Sequence, residues 1–219
     1  MKRFASALCA LSVLTILSCN DAGSGTADKT DTSKPAEPIA SEPAPPPPSM
    51  DSAAMVKAWN DYKTPGEVHK MLAAQSGNWT SDIKMWMDPS KPPMTSKSKD
   101  VYKMVLGGRY QESTHNGSMM GEPFTGVSTL AYDNAKKKFI NTWIDDMGTG
   151  LMVMEGDYDA ASKTLNLKGE MVDPTTGKDC KVRQVVTFVD DKNMSVEMYM
   201  NPPGLDKEFK TMEIKSVKQ

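Results

Sequence analysis

Cysteine is scarce in this 219-residue chain, with only Cys9, Cys19 and Cys180. Two of the three lie in or at the end of an N-terminal apolar segment, which leaves Cys180 alone. No intramolecular disulfide framework can carry the fold, so stability must come from a packed core. A lone Cys180 between Asp179 and Lys181, with no base or second cysteine nearby, reads as an inert residue at a strand start. Histidine is scarcer still: His69 and His115 are the only two. No zinc-binding spacing and no nucleophile-elbow motif occurs. No apolar run reaches the ~20 residues that a spanning helix needs. A basic stripe is also missing, since Lys136-Lys137-Lys138 is the only basic run and falls in an expected turn. A nucleic-acid binder, which must displace counterions from phosphates, is thereby excluded.

What is present begins at the N-terminus. Lys2 and Arg3 precede an apolar stretch from Phe4 to Leu17, and Ile16-Leu17-Ser18-Cys19 closes it. This is the layout of a secretory signal peptide, and the closing tetrapeptide resembles the lipobox of bacterial lipoproteins. Asn20-Asp21 follow at once without a basic stop signal. The expectation is cleavage after residue 18, lipid on Cys19, and residence at a bacterial envelope surface, the outer membrane in a Gram-negative cell. Contact with the membrane would be through acyl chains alone. Loss of Lys2 and Arg3 takes the formal charge from −2 to −4.

Residues 19–50 read as a tether. Residues 20–50 contain no aromatic residue, and Pro35, Pro38, Pro43 and Pro45 through Pro48 crowd the second half. So few large apolar groups cannot offset the entropy of ordering. In a polyproline conformation about 30 residues reach roughly 90 Å at ~3.1 Å each.

An ordered domain is expected over 51–219. Met55, Ala58, Trp59 and Tyr62 recur at helical spacing. Thr64-Pro65-Gly66-Glu67 then reads as an N-cap, a first-turn proline and a capping-box glutamate. A second short helix follows with Val68, Met71 and Leu72 on one face, and the two helices are expected to cover one end of what comes next. From Trp79 the period becomes two. Turn residues at Gly107-Gly108, Asn116-Gly117, Asp133-Asn134, Asp146-Met147-Gly148, Asp173-Pro174, Asp190-Asp191 and Pro202-Pro203-Gly204 divide ten strands: 79–87, 98–106, 109–116, 124–132, 138–145, 150–158, 164–171, 180–189, 194–200 and 208–217. Connections this short make neighbours antiparallel. Ten twisted strands close on themselves, which removes the edges. The predicted fold class is all-β, an antiparallel up-and-down β-barrel with short N-terminal helices.

The strands carry one apolar face each. Ile83, Met85 and Met87 share a face, as do Met152 and Met154; Val182, Val186 and Phe188; Met194, Val196, Met198 and Met200; and Met212 and Ile214. Lys84, Lys103, Arg183, Glu197 and Lys215 take the opposite faces. Gly121-Glu122-Pro123 should turn or bulge the chain. Trp143 shares a face with Asn141 and Asp145, and this amphipathic face either lines a cavity with a polar floor or forms an outer surface ending in a capped turn.

Gly121-Glu122-Pro123-Phe124-Thr125-Gly126, then Ala131-Tyr132-Asp133, then Thr142-Trp143-Ile144-Asp145-Asp146-Met147-Gly148-Thr149-Gly150 resemble the signature of the DUF1579 family of bacterial proteins. The likeness extends from about Val68 to Val217. It implies a compact β-rich domain of lipocalin-like character, often on exported proteins, and implies no particular chemistry. Gly77-Asn78-Trp79 after a short helix also resembles the G-x-W that opens a lipocalin barrel.

Methionine is the compositional outlier, with 18 residues. Its flexible thioether suits an interior that adapts its shape. Such side chains either line a cavity for an apolar guest or fill a core. The ligand-binding candidates are Met85, Met87, Trp143, Asp145, Met152, Met154, Met194 and Met198. Met119-Met120 and Met147 lack the regular spacing and neighbouring histidines of a copper site. Haem would need a proximal ligand, for which only His115 qualifies; His69 is expected to face solvent. Arg109, Glu112, His115, Asp145 and Asp146 lie near strand ends, where an acid and a base could meet, but no catalytic residue, metal or cofactor is assigned. The function predicted is non-catalytic binding of a small apolar or amphipathic ligand, or, failing a cavity, an interaction module with a filled core.

Overall fold

The computed structural model describes residues 51–202 and 207–219. The expected signal segment, Cys19 and the tether lie outside the described residues. Helices α1 (Ser52–Lys63) and α2 (Glu67–Ala74) precede ten strands: β1 (Gly77–Met85), β2 (Met94–Val105), β3 (Tyr110–Met119), β4 (Glu122–Asp133), β5 (Lys138–Asp145), β6 (Met152–Asp159), β7 (Thr164–Asp173), β8 (Lys178–Phe188), β9 (Asn193–Asn201) and β10 (Phe209–Lys218). Each strand pairs antiparallel with its sequence neighbours. The β1–β10 pairing, from Trp79↔Lys218 to Met85↔Met212, closes the barrel.

Register decides which side chains enter the lumen. Partners across a ladder share a face, so Trp79, Asp100, His115, Gly126, Asp145 and their alternates all point inward. The same rule sends Met152, Met154, Leu167, Val182, Val186, Val196, Met198, Met200, Met212 and Ile214 inside. Burial follows the pleat: Met152 and Met154 are 9% and 1% exposed, whereas Val153 between them is 47% exposed. Lys84, Lys103, Glu197 and Lys215 face outward, as the alternation requires.

Three local expectations differ from the structure. Asn116-Gly117 does not end β3, which runs on to Met119 and turns at Met120-Gly121, where both φ angles are positive. That two-residue geometry matches strand twist. Gly117 instead lets β2 approach, since a Cβ there would lie 2.5 Å from the Lys97 carbonyl oxygen. Thr64 is not the cap of α2. It ends α1, and α2 starts from Gly66, whose N–H donates to His69 Nδ1 at 3.0 Å. His69, expected in solvent, is 5% exposed and meets Tyr132 edge to face.

The cause of that burial is that α2 plugs one end of the barrel. Leu72 is wholly buried among the core residues Trp79, Phe139, Leu165, Phe188 and Met194. The last carbonyls of a helix have no partners within it, and here the barrel supplies them. Gln111 Nε2 donates to Leu72 O at 2.7 Å, Lys218 Nζ to Ala74 O at 2.8 Å, and Trp79 Nε1 to Gln75 O at 2.9 Å. Helix α1 does not share this task. None of its residues is buried, and Asn134 Nδ2 reaches only its C-terminal backbone, at Tyr62 O (3.0 Å) and Thr64 O (2.9 Å).

Candidate functional site

The two ends of the lumen differ. At the α2 end, inward side chains are dry: Trp79 1%, Phe139 2% and Leu165 0% exposed. At the other end, Met85, Met119, Met171, Met198, Met200, Phe209 and Met212 point inward yet are only partly buried, and Met94 is 40% exposed. Inward side chains reached by water mean that solvent enters the barrel there. Thioethers and rings thus line an open half above a packed floor.

The two walls also differ. Strands β6–β10 present Met152, Met154, Leu167, Val182, Val196 and Met198. Strands β1–β5 present a hydrogen-bonded polar group. Asp100, 2% exposed, accepts from Ser81 Oγ, and Ser81 in turn meets Ser216 Oγ at 2.7 Å. His115 Nδ1 lies 3.0 Å from Asp100 Oδ1, and its Nε2 lies 2.9 Å from Ser113 Oγ. Burial works to raise the Asp100 carboxyl, but hydrogen bonds from His115 and Ser81 and the attraction of His115 outweigh it and hold the group below the usual carboxylate range. Burial, followed by the Asp100 charge, pushes the Tyr102 phenol far up.

Ser113, His115 and Asp100 have the connectivity of nucleophile, base and orienting acid. The setting differs from a hydrolase site. Ser113 is 6% exposed and paired on both sides, with Tyr102 and Ser128. Its neighbouring N–H groups are engaged in the ladders, so none stands free to hold an oxyanion. Cys180 is 1% exposed, and burial foremost raises its thiol, as an inert residue requires.

An aromatic ladder runs along the polar wall. Ring centroids step from Trp79 to Tyr102 (6.0 Å), His115 (5.6 Å), Trp143 (5.3 Å) and Phe124 (6.3 Å) at the rim. Trp143 therefore faces the lumen, which resolves the two readings of its strand. Gly126 makes its seat, since a Cβ there would lie 2.3 Å from the indole. Trp143 Nε1 donates to Asp145 Oδ2 at 2.7 Å, and Asp145 Oδ1 accepts from Met147 N at 3.0 Å.

Of the candidate residues, Met85, Trp143, Asp145, Met152 and Met198 border the open half, and Met154 lies at its floor. Met194 belongs to the closed end, 5% exposed beside Phe188 and Trp79. Met87 falls beyond β1 and is 68% exposed. Sequence reasoning named His115 only as a conceivable haem ligand or acid–base group, and it missed Asp100 and the serines as lumen residues. The alternation Ser96-Ser98-Asp100-Tyr102 on β2 carried the signal, but small polar residues on a strand read as a solvent face. Two further hollows, of ≈ 390 and ≈ 350 Å³, lie outside the lumen. The first is bordered by Lys138, Glu155, Asp157 and Lys168, the second by Asp82, Lys97 and Lys99.

Comparison with known proteins bears on the fold. The family described as "Protein of unknown function (DUF1579)" matches residues 64–218. The crystal structure of Rv2717c from M. tuberculosis is similar at 14% identity and a TM-score of 0.53, covering 71% of this chain and 99% of that one. The S-type phycobiliprotein lyase CPES from Guillardia theta aligns at 10% identity and 0.49, covering 69% and 92%. A redesigned β-barrel aligns at 10% identity and 0.36, covering 68% and 94%. No curated protein matches.

Proposed function

The chain belongs to the DUF1579 family, and from that premise and the two-ended lumen we propose that it is a non-catalytic binder of a small apolar or amphipathic molecule, held at a bacterial envelope by lipid on Cys19. The observation that carries the reading is the open half, where inward methionines and rings are only partly buried. A guest there would exclude water from them. Removing ~300 Å² of apolar ligand surface from water is worth about 7 kcal/mol gross at ~25 cal/mol/Å², before ordering costs. Adaptable thioethers opposite placed polar groups are what such a pocket needs.

The experiment is extraction of purified protein with organic solvent followed by mass spectrometry, together with titration by a neutral fluorescent probe such as N-phenyl-1-naphthylamine. A co-purifying apolar compound or saturable probe binding supports the reading. A barrel that holds and takes up nothing overturns it. Met198→Lys, which places a charge on the apolar wall, should abolish uptake. The envelope anchor is tested separately, as Cys19→Ala should move the protein from the membrane fraction to the soluble one.

One observation favours the interaction-module reading. Val101, Thr114, Val127 and Ile144 stand opposite one another across the outside of β2–β5, with Val101, Val127 and Ile144 36% to 50% exposed. Such an uncharged row suits a protein partner. Ligand uptake unaffected by Val127→Lys and Ile144→Lys would separate the two faces.

A further inference from the structure

Resting on the binding reading above, we propose that the open half selects amphiphiles with a cationic head, seated against Trp143 and Phe124 with Asp145 as counter-ion, while the apolar tail lies along the methionines of β9, β10 and β1. The charges facing this space have one dominant sign. Asp100, Asp145 and, at the rim, Asp173 take the inward face, and the inward cation-forming side chains of the open half among the described residues are His115, already engaged with Asp100, and Lys178, opposite Asp173 across β7–β8. Glu122 adds a carboxylate at the rim on the same wall. Three other rings of the barrel carry a cation from the protein itself: Arg183 over Tyr199 at 3.9 Å, Lys210 over Trp86 at 5.6 Å and Lys218 over Trp79 at 5.8 Å. Trp143 and Phe124 carry none, although both lie in the open half.

The chemistry of Trp143 strengthens the case. An indole attracts a cation through the negative face of its ring, more strongly when desolvated. The Nε1–H bond to the Asp145 carboxylate pushes electron density into that ring, and Gly126 leaves room for it to lie against the wall. β4 and β9 are five strands apart around a ring of ten, so the ladder faces Met198 and Met200 across the lumen. A molecule with a positive end and a greasy end has a partner for each. An anionic amphiphile would meet Asp145 instead.

The test displaces the neutral naphthylamine probe from the full-length protein with three matched ligands below their micellar concentrations: dodecyltrimethylammonium, dodecanol and laurate. The ammonium compound should displace at roughly tenfold lower concentration than laurate, with dodecanol between them. Asp145→Asn keeps an acceptor for the indole N–H but removes the charge, and should bring the three within about threefold. Trp143→Leu should weaken the ammonium compound while leaving dodecanol nearly unchanged. Laurate binding as well as the ammonium compound, or an Asp145→Asn variant that retains the full discrimination, overturns this inference and leaves the pocket standing. Failure of all three ligands to displace a saturably bound probe overturns this inference alone, whereas a protein that neither binds the probe nor holds a co-purifying compound overturns the binding reading itself.

Discussion

The closed and open halves of the barrel are made from the same ten strands and the same two-residue alternation, yet one is a core and the other a vestibule. At the closed end, rings and leucines meet under a helix whose free carbonyls are bonded by Trp79, Gln111 and Lys218. At the open end methionines share the inward positions with Trp143, Phe124 and Asp145, and no helix among the described residues covers them. Alternation decides which side chains enter. Their bulk and the presence of a plug decide whether the entered space is filled.

Breaking the closed half should have the largest effect. Trp79→Ala removes a ring that is 1% exposed and a bond to α2, so thermodynamic stability measured by denaturant unfolding should fall by about 3–5 kcal/mol. Asp100→Asn comes next, at about 1.5–3 kcal/mol near neutral pH. Its sign with pH follows from the native carboxyl being held below its unfolded value. The stabilisation is fully present above about pH 4 and is lost as pH falls through the native value. The variant should therefore lose less stability on acidification than the wild type, as unfolding curves across pH 2–7 would measure. Gly126→Val forces the Trp143 ring from its seat and should cost about 1–3 kcal/mol, with a larger loss in probe affinity than in stability. Smallest should be Met212→Ala in the open half, about 1 kcal/mol or less because the side chain is already partly hydrated. If Met212→Ala costs as much as Trp79→Ala, the contrast between the halves is wrong.

The legible part of the fold was whatever repeats locally. Every expected strand exists, because period-two alternation and turn residues act within a few positions of one another. The methionine face of β9 needed only Met194, Val196, Met198 and Met200 in a row. The strand of Trp143 was ambiguous, since its alternation looks the same from inside and outside. His69 was misread for a related reason. A polar residue on a short helix looks solvent-facing until the helix is pushed into a barrel.

The chain's own pattern of apolar and polar residues determined that ten antiparallel strands form and which two faces each has. Only tertiary closure decided that Ser81 would meet Ser216 from 135 residues away, that α2 would seal one end, and that Asp100 and His115 would share the lumen with the methionines. The physical reason is range. A strand's pleat is set by neighbouring residues, whereas a wall, a plug and a counter-ion require segments far apart in the chain to arrive at one place.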